Sequence, residues 1–359
     1  MTLRTISEAE TGGSAAESAQ MAEAAGLVYV SDRDPGFRRV RSGKGFRYLT
    51  PGNLRLAATR ELKRIASLAI PPAYRDVWIC ARPRGHLQAT GRDARGRKQY
   101  RYHSDWRLVR DEAKFGRMVA FGDALPALRR KLASDIKLDG LPRDKVLAVI
   151  VSLLDSTRAR VGNVEYAREN RSFGLTTLRN RHVSFIGDAQ AVLSFRGKGG
   201  VQHDIVLGDP RITQIVRECH ELPGRQLFQF VGDDGARCPV DSSLVNGYLQ
   251  RAMGGDFTAK DFRTWGATLH AITLLSRTPL PLPASERALR RTAAQVVQEV
   301  ATQLRNTPAV CRKSYINPTV FEAWRSGAIH DVFDEGPARA GSRKTEMRAL
   351  IVLRKMPDA

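Results

Sequence analysis

The spacing of apolar positions changes character about a third of the way along the 359-residue chain. Up to residue 104 they come in short runs broken by Gly, Pro and Asp, the signature of strands and turns. Gly26-Leu-Val-Tyr-Val-Ser31 reads as a short strand where ordered structure begins, 46–49 as another and 77–81 as a third. Residues 86–90 and 98–103 pair as a hairpin across Gly91-Arg-Asp-Ala-Arg-Gly96. A single clear helix interrupts them: Asn53 caps it, Leu54, Ala58, Leu62, Ile65 and Leu68 share a face, and Pro71-Pro72 stops it.

Beyond residue 104 the period becomes helical. Helices are expected over 105–120, 123–137, 142–157, 209–222, 240–253, 258–276, 284–304 and 344–355. One β interlude (182–186, 192–195 and 203–207) falls among them, joined by Gly-rich turns. The fold class is therefore α+β, a small β-rich N-terminal domain over 26–104 and a larger, mainly α domain over 105–359 holding a small antiparallel sheet. Residues 1–25 carry four Glu against one Arg, are rich in Ala, Ser and Gly, and read as a disordered acidic tail.

Charge narrows the partner. There are 58 Lys+Arg against 37 Asp+Glu, a formal net charge of +21. Such an excess favours a polyanion, nucleic acid or an anionic membrane surface. The most apolar stretch, 146–154, is too short to cross a bilayer, and no signal-peptide pattern opens the chain. Cys80, Cys219, Cys238 and Cys311 are scattered, without zinc or redox spacing, and read as reduced cytosolic thiols. No nucleotide-binding glycine loop, metalloprotease or nucleophile-elbow motif is present. Asp233-Asp234-Gly235 reads as a turn rather than a metal site.

The stretch 82–117 holds eleven Arg/Lys and four Asp/Glu. On its hairpin, strand alternation puts Lys98, Tyr100 and Tyr102 on one face. A ribbon carrying Arg92, Arg97, Lys98, Gln99, Tyr100 and Tyr102 can enter a DNA groove, cations on phosphates and the Gln99 amide on a base.

Five motifs farther along carry a resemblance. They are Asp155-Ser-Thr-Arg-Ala-Arg160-Val-Gly-Asn, Gly174-Leu-Thr-Thr-Leu-Arg-Asn-Arg-His182-Val, Phe195-Arg-Gly-Lys198-Gly-Gly, Lys260-Asp-Phe-Arg263-Thr-Trp-Gly, and Asn306-Thr-Pro-Ala-Val-Cys-Arg-Lys-Ser-Tyr315-Ile-Asn-Pro. In order and spacing they resemble the type IB DNA topoisomerases, in the compact bacterial and poxvirus-like branch, over roughly 26–335.

The resemblance implies a tyrosine nucleophile, Tyr315, forming a DNA 3′-phosphotyrosyl link, with Arg160 and Arg263 on the non-bridging oxygens. It makes Lys198 the general acid for the leaving 5′-oxygen and Lys260 a supporting cation one helical turn before Arg263. Many relatives carry His where this chain has Asn306, whose amide can donate a hydrogen bond but cannot transfer a proton. No metal or nucleotide cofactor is implied, and the partner is duplex DNA, held by a monomeric two-domain clamp beside the bacterial nucleoid in the cytoplasm. A tyrosine recombinase shares the same Arg, Lys, Arg, Tyr logic. It usually shows His-x-x-Arg at the Lys260 position and a helical N-domain. A non-catalytic DNA-binding protein on this scaffold is the other alternative.

Overall fold

The computed structural model describes residues 15–355 except 95, 283, 335 and 337–340, and leaves aside the side chains of Ala15, Glu17 and Tyr166. The chain divides into two compact units between Lys114 and Phe115.

In the first unit, β1 (Gly36–Ser42), β2 (Gly45–Leu49), β3 (Arg75–Cys80), β4 (Leu87–Arg92) and β5 (Lys98–Tyr102) form an antiparallel sheet ordered β2-β1-β3-β4-β5. Phe37 pairs with Ile79 and Ile79 with Ala89, so the pleat puts all three on one face. Helix α2 (Thr59–Ser67) brings Ile65 to that face, beside Leu56 and Val77. Val30, Cys80, Leu87 and Tyr100 form a second cluster.

Three expectations change here. The helix read as capped by Asn53 begins only at Thr59, with Asn53 left-handed at φ +64° and Leu54 exposed. Residues 26–31 do not form a strand, because only Val28 bridges to Gly85 and the N–H of Val30 turns to His86 Nδ1 at 3.0 Å. The acidic tail is not structureless throughout. Helix α1 (Ala15–Ala24) buries Ala22 against Leu27 and Trp106, an apolar anchor that composition hid. Residues 1–14 of that expected tail lie outside the described residues.

The two helices expected at 105–120 and 123–137 are one, α3 (Ser104–Asp135). Gly122, which reads as a break in sequence, serves packing instead. A Cβ there would lie 2.7 Å from both Trp265 and Leu350, so its absence lets two large side chains close on the helix.

The second unit contains α4 (Arg143–Thr157), α5 (Val164–Asn170), then the antiparallel sheet β6 (Val183–Ile186), β7 (Gln190–Arg196) and β8 (Gln202–Leu207). There follow α6 (Pro210–Glu221), the ribbon β9 (Gln229–Val231) and β10 (Arg237–Pro239), and α7 (Ser242–Met253). The ribbon turns through Asp233–Gly235, with Gly235 at φ +76° and Asp234 accepting from the N–H of Ala236. After these come α8 (Asp261–Leu275), α9 (Glu286–Gln303), α10 (Pro308–Ser314), α11 (Thr319–Arg325), α12 (Ala328–Val332) and α13 (Arg343–Lys355).

Helix α8 is buried on nearly every side, with Phe262, Trp265, Ile272 and Leu275 in the main core. A helix apolar all round belongs at the centre of a domain. It is the platform on which the polar site is built.

Candidate active site

Arg263 is a buried charge on that helix, 4% exposed. Its Nη1 donates to the carbonyl of Arg158 and its Nη2 to that of Leu304 at 3.1 Å. Both acceptors are helix C-caps, of α4 and α9. The guanidinium thus lies between two negative helix ends, which offset the cost of burying its charge. Burial lowers its pKa from the ordinary arginine value, as does the charge of Arg160, while the charge of Tyr315 and a side-chain hydrogen bond to it act the other way.

Arg158 reaches its place by a left-handed backbone, φ +57°, and by lying across Gly266, where a Cβ would be 2.2 Å from its Nε. The glycine of the Lys260-Asp-Phe-Arg263-Thr-Trp-Gly motif is therefore a seat for Arg158.

Arg160 follows two residues on. Its carbonyl accepts from Leu175 N at 2.9 Å, and that of Val161 from Thr176 N at 2.7 Å. A Cβ on Gly174 would lie 2.6 Å from both the Gly162 Cα and the Arg160 carbonyl oxygen. The first two motifs are thus zipped together through glycine contacts, and Arg160 leaves the zipper with Nη2 3.3 Å from Asn306 Oδ1.

Tyr315 caps α10, its N–H donating to Cys311 O at 3.0 Å. Its own carbonyl accepts from Thr268 Oγ1 of α8 at 3.2 Å, and that oxygen accepts from Asn317 N at 3.0 Å. The ring lies under Arg263, 5.1 Å from guanidinium carbon to ring centre, and Tyr315 is 9% exposed. Two buried donors, Nε of the same Arg263 and Nδ2 of the Asn306 that accepts from Arg160, have no hydrogen-bond partner among the described residues. Unpaired buried donors are costly, and here both belong to residues tied to the Arg160 and Arg263 guanidiniums.

Lys198 sits half-buried at the β7–β8 tip, where Gly199 and Gly200 take φ +77° and +81°. Beneath it, His203 stacks on Phe195 at 5.0 Å and lies so near the Gly197 backbone that a Cβ would come within 2.7 Å. Burial first, then Arg305, Arg160 and Arg263, lower the His203 pKa to about 4, so its imidazole is neutral at pH 7. Lys260 is half-buried at the N-cap of α8, one turn before Arg263.

Residues 103–327 match the family model described as eukaryotic DNA topoisomerase I, catalytic core, and 45–93 match the bacterial DNA topoisomerase IB N-terminal domain. The chain is 32% identical to DNA topoisomerase 1B of Acanthamoeba polyphaga mimivirus over 296 residues, 81% of this chain and 88% of that one. It is 25% identical to DNA topoisomerase 1B of vaccinia virus (strain Copenhagen) over 274 residues, 73% of this chain and 81% of that one. The chain belongs to the type IB DNA topoisomerases.

In this topoisomerase the six residues expected on the N-terminal ribbon are placed unequally. Lys98 lies over the Tyr100 ring at 5.3 Å, and Tyr100 and Tyr102 stack at 6.1 Å, as the shared face required. Tyr100 is buried, however, and the polar members have partners within the unit. Lys98 pairs with Asp32 at 2.6 Å, Arg97 with Asp93 at 2.7 Å, and Gln99 donates to Asp93 at 3.0 Å. Arg92 is exposed and pairs loosely with Asp76 at 3.8 Å.

Other cations escaped the sequence reading. Arg38, Arg41, Lys44 and Arg47 are exposed on the β1–β2 hairpin. In the second unit a cavity of about 700 Å³ is ringed by Arg168, Arg171, Arg179, Arg181 and Arg225. The doublet Arg38-Arg39 and the Arg179-Asn-Arg181 pair were visible signals. Nothing local links Arg225 to the others.

Proposed function

We propose that the chain relaxes supercoiled duplex DNA by cutting one strand, letting it rotate and resealing it. Tyr315 Oη attacks a backbone phosphorus and loses its proton to solvent. The new P–O bond to tyrosine forms as the P–O5′ bond breaks, and Lys198 Nζ gives a proton to the departing 5′-oxygen. Arg160, Arg263 and Asn306 bond the non-bridging oxygens, where negative charge grows in the transition state. Lys260 adds a supporting positive charge. Religation is the reverse: the 5′-hydroxyl attacks the phosphotyrosine, tyrosine leaves, and the proton returns to Lys198.

The observation that carries this reading is the pair of orphaned buried donors, one on the Arg263 that lies over the Tyr315 ring and one on the Asn306 that accepts from Arg160. An anionic oxygen is the acceptor such donors lack. The cavity arginines and the exposed hairpin cations supply grip on the backbone, and β5, with Lys98 and Tyr102 on one face and Gln99 on the other, supplies contact to the groove with Arg92 and Arg97 alongside. Buried Tyr100 supports Tyr102 from below. The same reading makes the chain a monomeric enzyme of nucleoid DNA in the cytoplasm, acting without metal or nucleotide. Among the described residues no helix is long and apolar enough to cross a membrane.

The test is relaxation of a supercoiled plasmid in EDTA without ATP, with the covalent complex trapped by detergent. Wild type should relax the plasmid and leave a free 5′-hydroxyl opposite the trapped protein, and Tyr315→Phe should do neither. Strand exchange between duplexes in place of relaxation would point to a recombinase. Full relaxation by Tyr315→Phe would remove the nucleophile assignment.

A further inference from the structure

Arg305 has no part in the scheme above, yet it occupies an unusual position. It follows the α9 C-cap and has φ +52°, a left-handed backbone where helices ordinarily place glycine. The N–H of Asn306 then closes back on Ala301 O at 2.9 Å. An arginine held there must do something a glycine cannot.

Its guanidinium turns toward the sheet. Nη1 donates to Gln202 O at 3.1 Å and Nη2 to Asp204 O at 3.2 Å. These carbonyls are two residues apart on β8, the outer strand of the β6-β7-β8 sheet, so alternation points them the same way, off its open edge. A planar fork fits two such carbonyls, and a lysine could bond only one at a time in that geometry. Between them His203 faces β7, paired with Phe195 and lodged under Gly197. Arg305 is also the largest charge acting on that imidazole.

One side chain therefore bolts the segment carrying Asn306 to the hairpin carrying Lys198. Asn306 is its immediate neighbour, and the Lys198–Gly200 turn ends two residues before Gln202. Gly199 and Gly200 give the turn little stiffness of its own.

We infer that Arg305 is a positioning residue that holds the Lys198 hairpin against the phosphate-binding residues, so that proton delivery to the leaving 5′-oxygen depends on it. This rests on the role of Lys198 proposed above. Arg305 itself bonds backbone carbonyls.

The test compares single-turnover cleavage of an ordinary duplex and of one with a 5′-bridging sulfur, whose thiolate leaves without protonation. Arg305→Gly is the informative variant, because glycine suits the left-handed backbone and the fork alone is lost. It should slow cleavage of the oxygen substrate about 10- to 100-fold, less than full loss of a general acid, and most of that defect should vanish with sulfur. Arg305→Lys should fall between Gly and wild type. The double variant Lys198→Ala/Arg305→Gly should be no slower than Lys198→Ala. Equal defects on both substrates together with additive effects in the double variant would overturn the inference. Should Lys198→Ala itself gain nothing from sulfur, the general-acid reading falls. Non-additivity would then still support the bolt between Arg305 and the hairpin, and additivity would overturn it.

Discussion

At the scale of single residues, the site turns on which groups are left to bond phosphate. Asn306 offers its oxygen to Arg160 at 3.3 Å and keeps its amide nitrogen unpartnered. That orientation leaves the amide free to donate to a non-bridging oxygen, as proposed, and it separates two substitutions of nearly equal size. Asn306→Asp keeps an oxygen for Arg160 but replaces the donor with an acceptor. Cleavage by Asn306→Asp should fall by about 10²–10³, the scale for losing one oxyanion donor, and Asn306→His should retain most of the rate because the imidazole still donates. Single-turnover rates on a suicide duplex decide it, and an Asn306→Asp enzyme as fast as wild type would end the donor role. Tyr315, Arg160, Lys198 and Arg263 could be nominated from the family resemblance that the motifs carry. Arg305 could not. Its role comes from a left-handed backbone and two carbonyls about a hundred residues away in sequence, and neither leaves a mark on the local pattern.

At the scale of elements, helical periodicity located most of the second unit, and its errors have separate causes. Gly122 falls in the gap between the helices expected over 105–120 and 123–137, whereas it lies inside one helix and admits Trp265 and Leu350. Helix α5 went unread since seven residues hold too few apolar positions to show a period. The terminal helix α13 was legible as a helix but not as a partner. Its Glu346 takes two hydrogen bonds from Arg129 of α3, at 2.7 and 2.8 Å, and Arg129 also reaches Asp155 of α4 at 2.8 Å. Those bonds, Glu346 first, raise the Arg129 pKa against the pull of burial. Asp155 pairs in turn with Arg158, whose carbonyl accepts from Arg263. Glu346→Ala should therefore destabilise the chain by about 1–3 kcal/mol, the range for unpairing a partly buried charged hydrogen bond, and Glu346→Gln by less, since its amide oxygen still accepts. Urea unfolding measures both. A Glu346→Ala midpoint equal to that of wild type would show that α13 is docked by its apolar face alone.

For the whole molecule, the net charge of +21 belongs to two populations that differ in exposure. Arg38, Arg41, Lys44 and Arg47 in the first unit, and Arg168, Arg171, Arg181 and Arg225 in the second, stand in solvent, where salt screens them. Arg263 is buried between helix ends, with Arg160 bonded to Asn306 nearby, and screening reaches buried charges far less. Salt should thus act on the two steps differently. With six to ten phosphate contacts of the exposed kind, binding of duplex by Tyr315→Phe should weaken by about 10³–10⁵ between roughly 50 and 200 mM salt, as counterion release requires. The cleavage rate of wild type already saturated with duplex should change little over the same range, because the charges assigned to the scissile phosphate are buried or half-buried. Titrating affinity and single-turnover rate in parallel separates the two. If the saturated rate fell along with affinity, Arg160 and Arg263 would be acting as solvent-screened charges, and the division between grip and chemistry would not hold.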